Sequence, residues 1–466
     1  MYLFLFPAFI SAQNASAPQQ TGSQDNANLT QQVVELRALV EKLQARVDEL
    51  EKKSAAGTPT VQTPLPATAT GPAEVSSTAA AAPQPQTAAP APNTVPAGPT
   101  INFYLDAYYG YNFNQPIGRA NELRAFDVLS NAFSINQTGV IFEDAADPDH
   151  GKRFGLRLDL QYGQATQSSQ GNPSNEPRPN IYRNIFQAYG TYVAPIGKGL
   201  TIDVGKFASS LGYENNYTKD QINYSRSFWF AFLPFYHLGM RANYKFNDMF
   251  AVNYWVVNGT NQSEPFNGFK DQLIGFAITP NKKISWNVQY YLGQEHPDVI
   301  YYPNGNAPPD APVLQGVPFE PIRNSATGKL HIFDSYLSWQ VNPKWLFAIE
   351  ADDFIERLHA NSYPAHTDGG AAYLKYQITP KLYAGARAEY LSDRGGLFTG
   401  TTQAVKENTL TLAYRFEEGF QLMGEWRRDF SNQPYFYTNL LGVLKREQNT
   451  ATLGFLWWFG GKQGSW

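Results

Sequence analysis

From residue 101 onward the chain alternates. Ile101, Phe103, Leu105, Ala107, Tyr109, Tyr111 and Phe113 interleave with Asn102, Tyr104, Asp106, Tyr108, Gly110 and Asn112. Successive side chains of a strand point to opposite faces, so this pattern predicts a strand with one apolar and one mostly polar face. Phe154, Leu156, Leu158, Leu160 and Tyr162 repeat it against Arg153, Gly155, Arg157, Asp159 and Gln161, as do Leu410, Leu412, Tyr414 and Phe416 opposite Thr409, Thr411 and Arg415. About 16 such segments start near 101, 133, 153, 184, 200, 238, 250, 270, 284, 329, 345, 368, 382, 406, 420 and 448. Each is close to the roughly 9–11 residues that a tilted strand needs to cross a bilayer.

The connections alternate as well. Asn247-Asp248, Thr279-Pro280-Asn281, Asn342-Pro343-Lys344, Thr379-Pro380-Lys381 and Glu417-Glu418-Gly419 are tight turns, while 115–132, 164–183, 208–236, 294–328, 392–404 and 431–447 are long and polar. A soluble sandwich has no reason to sort its loops this way, whereas outer-membrane barrels do. Aromatics flank the short turns (Phe246 with Phe250, Trp339 with Trp345, Phe416 with Phe420), as an interfacial girdle would. Aromatic content is 15%, yet no run of about 18 apolar residues follows the start. The expected fold class is therefore all-β: a closed antiparallel transmembrane β-barrel spanning residues 100–466. Its last strand carries Ala451, Leu453, Phe455, Trp457 and Phe459 on one face, followed by a Gly-rich tail ending in Trp466. The sequence leaves open which aromatic marks the end for assembly.

The first hundred residues read differently. Residues 1–12 form an apolar block closing on Ser11-Ala12, as expected of a secretory signal. Residues 13–28 read as a flexible segment. Residues 29–53 hold a heptad in which Leu29, Val33, Leu36, Val40, Leu43, Val47 and Leu50 are spaced alternately four and three apart. Such a seam predicts a coiled coil and self-association, with Val at a and Leu at d leaning towards two strands. A solvated amphipathic helix is the alternative. Residues 54–99 are rich in Ala, Pro and Thr with one charge, Glu74, and read as an extended periplasmic linker.

Phe103-Tyr104-Leu105-Asp106-Ala107-Tyr108-Tyr109, Asp203-Val204-Gly205-Lys206-Phe207 running on to Gly212-Tyr213-Glu214, and Ser225-Arg226-Ser227 followed by Leu238-Gly239 and Arg241 resemble the OmpL-like β-barrel porin family. The resemblance covers about residues 101–459. It implies a bacterial outer-membrane channel and names no substrate.

Other chemistries find little support. The net charge of −4 leaves no nucleic-acid footprint. The six His residues show no metal-ligand spacing, Gly197-Lys198-Gly199 lacks the glycines of a phosphate loop, and Asp352-Asp353 reads as solvated rim. We expect no enzyme, no catalytic residue, no cofactor and no metal. The expected function is passive diffusion of small hydrophilic solutes or ions through a water-filled lumen. The alternative is an envelope anchor or adhesin whose coiled coil or loops bind a partner. Expected partners are outer-membrane lipid, the solutes, and further copies of the chain joined through the coiled coil, with the N-terminal segment in the periplasm.

Alternation places Arg153, Arg157, Arg241, Lys245, Lys375, Arg387, Arg415 and Arg427 inward, with Asp106, Asp159, Asp203, Asp334, Glu350, Glu389 and Glu425. The segment Ser227-Phe228-Trp229-Phe230-Ala231-Phe232-Leu233-Pro234-Phe235 is too apolar to stand in water. The third long loop, 208–236, is therefore expected to fold inward and narrow the barrel. Glu214, Lys219, Asp220 and Arg226 would supply its charge, facing Arg387, Arg415 and Arg427 across the lumen. The alternative has Phe228–Phe235 extending the next strand and packing on a neighbouring subunit.

Overall fold

The computed structural model describes residues 98–170, 178–303, 305–417, 419–461 and 466. The expected signal, flexible segment and coiled coil, and nearly all of the linker, lie outside the described residues.

Sixteen antiparallel strands close into one barrel. In chain order they are β1 (Thr100–Asn112), β2 (Ala132–Asp144), β3 (Phe154–Tyr162), β4 (Ile185–Ala194), β5 (Leu200–Ala208), β6 (Tyr236–Lys245), β7 (Phe250–Val257) and β8 (Asp271–Asn281). They continue as β9 (Ile284–Gly293), β10 (Leu330–Asn342), β11 (Trp345–Glu356), β12 (Ala365–Gln377), β13 (Leu382–Arg394), β14 (Gln403–Glu417), β15 (Phe420–Ser431) and β16 (Glu447–Gly460). Each pairs with its neighbour in sequence, and β1 pairs with β16, from Asn102 opposite Gly460 to Asn112 opposite Thr450. Closure leaves no unpaired edge, which a strand structure needs in lipid because no water is there to satisfy its N–H and C=O groups. The starts read from alternation fall within three residues of every observed start. Polar and β-branched residues on the inner face hid the first turns of β12 and β14, which begin three residues early.

The two faces follow the alternation. Ile101, Phe103, Phe154, Leu156, Leu410, Leu412, Leu453 and Phe459 are exposed on the outside, whereas Asn102, Asp106, Asp159, Thr409 and Thr411 are buried within. At the short-turn end aromatic rings form a near-continuous belt. Phe246, Phe250 and Phe276 follow one another with centroids 5.7 and 6.0 Å apart. Phe416, Phe420 and Trp457 do so at 5.2 and 4.9 Å, and Phe103 stacks on Phe459 at 4.9 Å. A tilted belt of rings at one level is what a membrane–water interface selects. The two terminal aromatics part company: Phe459 faces outward in this belt, while Trp466 packs inside against Tyr104 and Tyr217.

The long connections gather at the opposite end. That joining β9 to β10 folds a small three-stranded sheet of its own, built from Val299–Tyr301, Val313–Leu314 and Val317–Pro321. The connection from β5 to β6 turns inward and lies in the lumen. It carries the short helix α1 (Phe228–Phe232), whose N-cap Ser227 accepts from the Phe230 N–H at 2.9 Å. Phe228 and Trp229 are fully buried there, so this segment neither extends β6 nor leaves the barrel.

Candidate functional site

The inner loop, residues 209–235, is held at two places by the same device: backbone N–H groups of the loop donate to carboxylates of the wall. At its start Gly212 N–H reaches Asp334 at 3.2 Å and Tyr213 N–H reaches Glu350 at 3.0 Å. Further on, Tyr224 and Ser225 N–H donate to the two oxygens of Glu425 at 2.6 and 2.9 Å, and Phe228 N–H to Glu389 at 2.6 Å. Bonds to a charged acceptor are about twice as strong as neutral ones. Between the anchors the loop crosses to β1–β3. Asp106 accepts from Thr218 and from the Tyr224 hydroxyl, both at 2.6 Å, and Tyr217 bonds Asp159.

Glycine makes the close approaches possible. Gly212 has φ +87°, and a Cβ there would come within 3.1 Å of Glu350 Oε1. On the wall, a Cβ at Gly454 would meet the Tyr224 ring at 2.3 Å, and one at Gly385 would meet Ile222 at 2.7 Å. These bare positions are the footprint of the loop on the strands.

Around the second anchor the charges pair. Arg387 contacts Glu214 and Glu389 at 2.8 Å and Glu407 at 3.1 Å, and also donates to the Ser225 and Arg226 carbonyls. Arg427 contacts Asp429 at 2.8 Å and lies over the Phe228 ring. Arg124, from the first long connection, joins Asp429 at 3.0 Å and Asp127 at 3.4 Å. Arg226 stacks on Phe126 with its guanidinium 4.6 Å from the ring centre, and burial lowers its pKa. Burial raises Asp127 to about 7 even beside Arg124, and raises Glu122 to about 7 as well.

Of the sequence-derived residues, Glu214, Arg226, Arg387, Glu389, Glu425 and Arg427 thus come together, in direct contact rather than across open lumen. Arg157 sits apart beside Asp159 and the Tyr217 hydroxyl. Arg241 pairs with Asp203 at 2.8 Å on β5–β6. Arg153 precedes β3 and donates to the Val193 carbonyl. Arg415 is not in the Arg387 group. It stands at the short-turn end of β14, exposed, over Trp458 and near Lys375, because its register places it far down the strand from Thr409, the partner of Arg387. Lys219 and Asp220 bond each other at 2.8 Å next to Trp466.

One further expectation needs correction. Asp352 is not rim: it is buried and faces inward, directly opposite Asp334, while Asp353 faces outward to His366. The alternation of β11, with Leu346, Ala348 and Glu350 inward, carried that signal. The mostly polar inner face also carries apolar side chains. Phe207, Trp229, Trp255, Leu273, Ile332, Leu346, Phe354, Tyr373 and Leu391 form a buried apolar cluster inside it. Among the sequence's inward acids, Glu407 and Asp429 went unnoticed, although the period of β14 and β15 points them the same way as Thr409 and Arg427.

The chain is similar in sequence to a known family and in fold to solved outer-membrane proteins. Residues 99–459 match the family model described as Putative beta-barrel porin-2, OmpL-like. The outer-membrane channel DcaP of Acinetobacter baumannii superposes with TM-score 0.50 at 10% identity, covering 78% of this chain and 98% of that one. A loop-deletion form of OmpT of Vibrio cholerae gives 0.48 at 10% identity (78% and 100%), and OprB of Pseudomonas putida 0.48 at 12% (78% and 94%). Among curated proteins none matches the chain by sequence.

Proposed function

The chain belongs to the OmpL-like beta-barrel porin-2 family, and from that premise we propose that it is a passive channel of the bacterial outer membrane whose bore is set by the loop inside the barrel. The observation that carries the reading is the combination of a closed barrel with an apolar, aromatic outer band and a charged interior occupied by residues 209–235. A barrel of about 16 strands is wide enough for water when empty. With the loop fixed to β10, β11, β13 and β15, only small hydrophilic solutes and ions fit.

The short-turn end would be periplasmic, in line with the usual placement of short turns in outer-membrane barrels. Both Thr100 and Gly460 lie at that end. Residues 1–99 would then stay in the periplasm, with the heptad of residues 29–53 joining copies of the chain. Deleting residues 18–99 should lower the oligomer mass in detergent and leave single-channel conductance unchanged.

The decisive measurement is planar-bilayer conductance together with sugar-driven swelling of proteoliposomes. The intact protein should give small steps. Deleting residues 214–226 should raise conductance several-fold and admit larger uncharged sugars. A folded barrel that conducts neither with nor without these residues would be an anchor rather than a channel.

A further inference from the structure

Asp334, Glu350 and Asp352 are buried in the wall at the first anchor, with one oxygen from each within 4.8 Å of the others. Asp334 and Asp352 stand directly opposite each other in the β10–β11 register, and Glu350 lies on the same face two residues along. Like charges so placed destabilise a sheet, and burial removes the water that would screen them. Their neighbours compensate only in part. Gln289 donates to Asp334 at 2.9 Å and the Tyr373 hydroxyl to Glu350 at 2.9 Å, besides the Gly212 and Tyr213 N–H groups. Asp352 receives nothing: both its oxygens are buried without a hydrogen-bond partner. The residue beside it on β12 is Gly369, which brings no side chain, and Phe354 and Ala348 flank the cluster along β11. Among the described residues no Lys, Arg or His pairs with any of the three acids.

We propose that Asp334, Glu350 and Asp352 bind one divalent cation, calcium by their chemistry, and that this cation locks the start of the inner loop to the wall. All the donors are hard oxygens, with no imidazole or thiolate, which suits calcium and argues against zinc or copper. Three carboxylates supply the negative charge that a dication balances, and Asp352 supplies the free oxygens. Because Asp334 and Glu350 also hold Gly212 and Tyr213, filling the site fixes the loop in the position that narrows the barrel. The inference does not depend on what passes through the channel.

The test uses the full chain folded in detergent, stripped with a chelator and titrated with calcium chloride by calorimetry. Heat-shifted gel mobility confirms folding. The intact protein should take up one calcium ion per chain, and its unfolding midpoint should rise with calcium. Asp352→Asn should weaken binding about tenfold or more and abolish that rise. If Asp352→Asn does not fold, Asp334→Asn is read in the same way. No saturable site in the intact protein overturns the proposal, and the acids then share protons instead. Unchanged affinity in the variants overturns it as well, since the ion would sit elsewhere.

Discussion

The inner loop is fastened twice by carboxylates, and the two fastenings differ in what balances them. At the second anchor Arg387, Arg427 and Arg124 stand among Glu214, Glu389, Glu407 and Asp429, so the fold supplies counter-charge beside Glu389, while Glu425 is held by neutral donors within reach of that group. At the first, Asp334 and Glu350 meet only neutral donors and Asp352 meets none. The same bond, loop N–H to wall carboxylate, therefore has buried arginines close by in one place and none in the other, where the proposed ion would act. A loop built this way has one permanent attachment and one that responds to its surroundings.

The largest effect should come from breaking the balanced anchor. Arg387→Met leaves Glu214, Glu389 and Glu407 buried without their shared cation and removes the bonds to the Ser225 and Arg226 carbonyls. Truncating one member of a buried ion pair costs about 3–5 kcal/mol. The unfolding midpoint in denaturant should fall accordingly, and conductance should rise as the loop loosens. A loss below about 1 kcal/mol would mean that the acids accept protons at little cost, and the two anchors would then be alike.

A smaller effect tests how complete the balance is. Asp127 extends the second anchor through Arg124, yet burial still raises its pKa to about 7. The groups facing it are Arg124, Arg387, Glu425 and Asp429. Unfolded, the carboxyl would titrate near about 4. Between about 4 and 7 the folded state therefore holds the extra proton, and stability falls as pH rises through that window and levels off above it. The stabilisation is fully present below about pH 4. The slope is no steeper than about 1.4 kcal/mol per pH unit for this one group. Glu122, raised in the same direction, adds to it. Unfolding midpoints between pH 4.5 and 7.5 should show the decline, and Asp127→Asn should flatten it. An unchanged slope in that variant would assign the dependence to Glu122 or the strand acids.

Much of this arrangement was readable in the sequence, because a barrel in lipid enforces period two along its strands, apart from bulges such as those at Asn136 and Phe186. That constraint gave the strand starts and the parity of the inward residues, while the inward turn of the segment from Ser227 to Phe235 was legible in its apolar composition. Contacts that depend on depth along a strand were not readable. Parity says that Arg415 faces inward but not that it lies near the short turns, beside Trp458 and far from Arg387. Asp352 was misread because two adjacent acids suggest a solvated end, whereas alternation sends one of them each way. The apolar cluster within the lumen was missed for a related reason. Inward residues such as Leu273, Ile332 and Leu391 break the polar inner face, and they are explained only by the loop aromatics that cover them.

The smallest effect is expected at the unbalanced anchor, and it distinguishes the two most sharply. Glu350→Gln keeps an acceptor oxygen for the Tyr213 N–H and removes one of three like charges. Its new amide nitrogen then stands at the Oε2 position, where the Tyr373 hydroxyl must accept instead of donate. The loss of a charged acceptor and the relief of repulsion oppose each other, so in chelator the variant should lie within about 1 kcal/mol of the parent. With calcium the comparison changes. An ion at about a hundred times its dissociation constant stabilises the folded state by about 2.7 kcal/mol, and Glu350→Gln should forgo most of that gain. The parent would thus pull ahead only when the ion is present. A deficit in chelator as large as that of Arg387→Met would show instead that Glu350 is a permanent structural charge, and the contrast between the two fastenings would be lost.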